Sequence, residues 1–170
     1  MTAASFVCHP TAGYTRSNNA RAKDETDTTI ESCRPAMQVE SSQGRIQVKV
    51  AGHVPAWLPI TNKEMNELLN LETDWDSYGA KPVSPDAAVA AIWFLGLVMQ
   101  KESIMPFIVP MSSGNIQLEW HASGVDIEVE ITPHGPNVLS IEEANGVSTT
   151  SSVHGNLGVM KQVISKIPRR

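Results

Sequence analysis

Asn115-Ile116-Gln117-Leu118-Glu119-Trp120-His121, then a three-residue Ala-Ser-Gly link, then Val125-Asp126-Ile127-Glu128-Val129-Glu130-Ile131 is the stretch on which the fold turns. Ile116, Leu118 and Trp120 alternate with Gln117, Glu119 and His121. Val125, Ile127, Val129 and Ile131 alternate with Asp126, Glu128 and Glu130. Two period-2 runs joined by a short Gly-containing link predict a half-buried antiparallel hairpin, apolar on one face and acidic on the other.

Working outward, Pro106–Met111 predicts a strand before the hairpin, with its prolines confining it to an edge or to strand ends. Pro133-His134-Gly135-Pro136 predicts a tight turn, and Val138, Leu139 and Ile141 a fourth strand. Glu142 to His154 is polar and Ser/Thr-rich, fitting a loop or an irregular strand. Leu157, Met160, Ile164 and Ile167 recur at helical spacing, which predicts a last helix from about Gly155 to Lys166.

Upstream, Ser84-Pro85-Asp86 is a helix start, with Ser as N-cap, Pro in the first turn and Asp at the positive end of the dipole. The helix that follows, Ala87 to Met99, is apolar or Gly throughout. It is expected to be buried on most sides or to pair with its own copy as a homodimer. Thr61-Asn62-Lys63-Glu64 has the pattern of a capping box, so an earlier helix is expected from Thr61 to about Leu71. Between these helices lies Trp75-Asp76-Ser77-Tyr78-Gly79-Ala80, a turn-forming run. Trp75 and Tyr78 are expected to fold inward and pin that turn. Arg45–Val50 alternates as a short edge strand.

Grouped helices and grouped strands argue an α+β fold: two helices, an antiparallel four-stranded meander, and a C-terminal helix packed on one sheet face. Residues 1–43 read as a disordered or flexible tail, because they offer little apolar surface to offset ordering entropy. Residues 44–170 read as one domain. A globular part of about 120 residues can bury roughly two-thirds of its unfolded surface.

Lys plus Arg is 13 and Asp plus Glu is 18, for a net charge of -5. Direct nucleic-acid binding is therefore not expected, whereas a basic protein partner is compatible. Cys8 and Cys33 form no CxxC pair and no metal spacing. No apolar run is long enough to span a membrane, and the N-terminus has no secretory pattern, so a cytoplasmic location is expected. No Gly-rich phosphate loop, His-Glu-x-x-His pattern or Gly-x-Ser-x-Gly elbow around Ser77 is present, and no cofactor is expected.

Asp126, Glu128 and Glu130 share one strand face, with Glu119 within cross-strand reach. Three readings follow. The acids form the solvated side of a two-faced sheet, or they dock a basic partner. Alternatively Glu119, Asp126 and Glu128, with His121, hold a divalent metal in a hydrolase or nuclease-like site. His134, in the next turn, reads as a surface histidine.

The Trp75-Asp76-Ser77-Tyr78-Gly79-Ala80 run, the Ser-Pro helix start, the Leu118-Glu119-Trp120-His121 strand and the Asp126–Glu130 acids together resemble a family of small uncharacterised bacterial proteins. The likeness covers about Glu64 to Gly135. It makes Trp75, Asp76, Tyr78, Gly79 and Trp120 motif positions and implies a bacterial cytoplasmic accessory protein linked to mobile elements or conflict systems. It implies no catalytic residue. The reading that follows is a non-enzymatic, antitoxin-like or immunity-like interaction module, docking through Glu119, Asp126, Glu128 and Glu130.

Overall fold

The structure, a computed structural model, describes residues 36–42, 44–122, 124–153 and 165–167. It is α+β. Strands β1 (Ala36–Ser42) and β2 (Arg45–Ala51) pair as an antiparallel hairpin. Helices α1 (Leu58–Leu68) and α2 (Pro85–Val98) follow. Strands β3 (Phe107–Pro110), β4 (Ile116–Ala122), β5 (Val125–Thr132), β6 (Gly135–Glu143) and β7 (Ser148–Ser152) form a second sheet in that order, every pair antiparallel.

The β4–β5 hairpin carries the alternation expected of it. Ile116, Leu118, Trp120, Ile127, Val129 and Ile131 are buried. Gly124 closes the turn at φ +71°, a conformation that favours glycine. The meander has five strands rather than four. Ser148–Ser152, read as loop or irregular strand, pairs with β6 as an edge. Its pairing comes from the backbone ladder, since an all-polar run has no apolar alternation to show.

Helix α2 begins at the expected cap, where Ser84 Oγ accepts the Ala87 amide hydrogen at 3.4 Å. Its all-round apolarity has a structural cause. The helix packs against β1 and β2 and also against β4, β5 and β6, so two sheets cover it. The contact with β1 is close: a Cβ at Gly96 would lie 2.7 Å from Met37 Cε. Leu97 is the exposed large hydrophobic side chain of α2 among the described residues.

Four other expectations are corrected. Residues 36–42, placed in the tail, form β1, and Met37 and Val39 enter the core. Residues 1–35 lie outside the described part. Helix α1 starts one turn before Thr61, at Leu58, with Pro59 in its first turn. The Thr61 amide hydrogen already bonds the Trp57 carbonyl at 3.1 Å, so Thr61 is inside the helix and caps nothing. Its hydroxyl is buried and unpartnered. Tyr78 is 93% exposed instead of folding inward. Trp75 is half-buried, and its indole N–H donates to the Lys81 carbonyl at 3.1 Å.

The expected C-terminal helix, from about Gly155 to Lys166, lies almost wholly outside the described residues. Of it, Lys166 pairs with Glu143, which holds that carboxyl below its ordinary range, and the following Ile167 is buried.

Candidate functional site

The outer face of the five-stranded sheet is the side turned away from α2. Register places Phe107, Glu119, Glu128, Ser140 and Thr150 in one row across it. A second row holds Val109, Gln117, Glu130, Val138 and Ser152. His121, Asp126, Glu142 and Ser148 form a third. All four acids singled out in the sequence therefore share this face. Glu142 joins them, and no Lys or Arg stands in any row. Phe107, 65% exposed, borders the acids.

Glu119 and Glu128 face each other directly across β4 and β5. Like charges in that position repel, and the structure relieves Glu119 specifically. Its Oε1 accepts from Gln117 Nε2 at 3.0 Å, and its Oε2 lies 3.0 Å from His121 Nε2. The other ring nitrogen of His121, Nδ1, lies 2.9 Å from Asp126 Oδ1. One imidazole thus bridges two carboxylates, beside the Phe107 ring at 6.0 Å between centroids.

Glu130 is also occupied. Asn115 Nδ2 donates to Oε1 at 2.8 Å and Asn137 Nδ2 to Oε2 at 3.1 Å. Asn137 sits where the β5–β6 register shifts, opposite no β5 residue, and such a bulge re-aims a side chain. Glu130 therefore clamps the sheet end, a role that sequence spacing alone did not show. Among the described residues Glu128 has no hydrogen-bond or ion-pair partner, and it is exposed. His134 lies exposed in the β5–β6 turn, away from His121.

For the metal reading, Glu119, His121 and Asp126 do meet, but as a hydrogen-bonded chain with both ring nitrogens engaged. Among the described residues no group of three or more His, Cys, Asp or Glu is placed to hold a metal ion. No helix among them is long and apolar enough to cross a membrane.

The hydrogen bond to Glu119, then that to Asp126, raises the His121 pKa above its ordinary value, against the opposing effect of burial. A histidine with a raised folded pKa contributes stability below its unfolded pKa and loses it as pH rises through the folded value. Glu119→Gln is expected to lower the His121 midpoint in an NMR titration of its ring protons. Its stability deficit should be present below about pH 6.5, where the imidazole is protonated in both states, and should fade as pH rises through the raised folded value. A midpoint unchanged by the substitution would show that the bridge does not form in solution.

A scan against protein-family models finds no match, and searches of curated proteins and of solved structures return no similar protein.

Proposed function

We propose that this chain is a non-enzymatic interaction module that captures a basic protein partner on the outer face of its five-stranded sheet, in the manner of a bacterial antitoxin or immunity protein acting in the cytoplasm. The observation that carries this reading is the distribution of charge. Glu119, Asp126, Glu128, Glu130 and Glu142 share a face that holds no Lys or Arg among the described residues. Such a field speeds encounter with a cationic surface and disfavours acidic ones. Phe107 adds an exposed aromatic edge of the kind that anchors interfaces.

The acids divide by role. Glu130 and Glu119 are tied within the chain, so reversing them would disturb the sheet. Glu128 and Glu142 are exposed and have no partner among the described residues, which makes them the contacts to reverse. Tagged wild-type chain and a Glu128→Lys/Glu142→Lys variant would be compared in co-purification from the native host. The partner retained by wild type at low salt is expected to be lost by at least about tenfold in the variant, with circular dichroism unchanged. The same partner held equally well by both would remove the acidic face from the interaction.

A further inference from the structure

A second surface lies along β2, where Arg45 and Lys49 share one face with Glu40 of β1, which stands opposite Gln47 between them. One edge of β2 pairs with β1 and the other faces α1. Asn66 of α1 reveals which backbone groups that second edge presents. Its Oδ1 accepts the Ile46 amide hydrogen at 2.9 Å, and its Nδ2 donates to the Ile46 carbonyl at 3.3 Å. In an antiparallel pair the backbone groups of alternate residues point to opposite edges. Val48 and Val50 therefore turn their N–H and C=O groups to the same side as Ile46. Among the described residues those groups have no partner. An open strand edge of this kind is a template for another strand.

The side chains around the edge are also arranged for a ligand. A cleft of about 180 Å³ runs beside it, lined by Val48, Val50, Val54, Leu58, Pro59 and Asn62. Val54 stands 47% exposed at its rim. A second cleft of about 460 Å³, which also has Asn62 in its lining, reaches Arg45 and Lys63. On the opposite face of the strand, Arg45 and Lys49 are exposed and in no ion pair among the described residues.

We propose that the free edge of β2 docks an extended peptide of a partner protein in which apolar and acidic residues alternate. The peptide backbone would pair with Val48 and Val50, as the Asn66 amide already pairs with Ile46. Added strands gain affinity from main-chain hydrogen bonds and specificity from alternate side chains. Apolar side chains on one face of the peptide would enter the cleft at Val54, Leu58 and Pro59. Acidic side chains on the other would lie beside Lys49 and Arg45, where opposite charges on neighbouring strands attract. This site is independent of the acidic sheet face, and different residues test it.

The test uses the full chain and a fluorescein-labelled peptide of about eight residues alternating valine with glutamate. Fluorescence anisotropy is expected to show saturable binding. Arg45→Glu/Lys49→Glu should weaken it by about tenfold, whereas Glu128→Lys/Glu142→Lys should not. Replacing glutamate by lysine in the peptide, or N-methylating the amides on its pairing side, should abolish it. By NMR hydrogen exchange the Val48 and Val50 amides should exchange quickly in the free chain and at least about tenfold more slowly with peptide. Equal binding of the N-methylated peptide would overturn the proposal. So would protection of both amides in the free chain at low concentration, which would mean the chain covers its own edge. Protection that grows with protein concentration would assign the edge to a second copy instead, and would equally overturn it.

Discussion

Trp120→Ala is expected to cost about 3–5 kcal/mol of folding stability, the range for truncating a large buried aromatic. Against the roughly 5–15 kcal/mol typical of a domain, that is at least about a fifth of the total. Trp120 is 1% exposed and projects from β4 toward α2. Its indole N–H donates to the Ile104 carbonyl at 3.0 Å, tying the segment before β3 to the sheet. Alanine would leave a cavity and strand that carbonyl together. Trp120→Phe keeps most of the volume and loses the hydrogen bond, so a smaller cost of about 1–2 kcal/mol is expected. Urea unfolding followed by circular dichroism measures both. A midpoint for the alanine variant within experimental error of wild type would show that this side chain is not packed as described.

Gly114→Ala is expected to cost about 2–4 kcal/mol, from backbone strain plus a collision. Gly114 has φ +88°, and a Cβ there would sit 2.8 Å from the Pro82 carbonyl oxygen. Backbone cannot step aside as a flexible side chain can. The residue lies where the chain entering α2 meets the β3–β4 turn. Lys81 donates to the Ser112 carbonyl at 2.9 Å, and Ser84 to the Gly114 carbonyl at 2.8 Å. Gly79 is the control: its φ is +89° but a Cβ would meet open space. Gly79→Ala should therefore cost only about 1–2 kcal/mol, the strain alone. Equal losses at the two positions in thermal unfolding would refute the collision.

Features written into neighbouring residues were legible in the sequence. The β4–β5 alternation and the Ser84 cap need only local spacing, and both are present. Features settled by distant partners were not. Strand β1 shows only Met37-Gln38-Val39-Glu40 as alternation, and its place in the core depends on pairing with β2 and on contact with α2. The Thr61–Glu64 pattern matched a capping box, yet the helix already runs past it from Leu58, behind Pro59.

Aromatic content misled the reading of the Trp75–Ala80 turn, because the backbone there is held by carboxylates rather than by ring burial. Asp76 Oδ1 accepts from the Tyr78 and Ala80 amides at 2.8 and 3.0 Å, and Asp74 Oδ1 from Gly79 at 2.6 Å. Asp74 and Ser77 hold positive φ within it, and Tyr78 is free to project. On the acidic face, spacing grouped the carboxylates correctly but could not reveal Gln117, His121, Asn115 and Asn137 as their hydrogen-bond partners. Two of those reach Glu130 from residues 15 and 7 positions away.

Every strand of both sheets pairs with the next one along the chain. Each ladder therefore closes a short loop at small entropic cost, and each can zip quickly on its own. Among the described residues no ladder joins the two ribbons, and α2 packs against both, so their seating on that helix is expected to come late in assembly. Until both arrive, the greasy cylinder between them is bare, and that interval is when a newly made chain is most vulnerable to sticking to its neighbours.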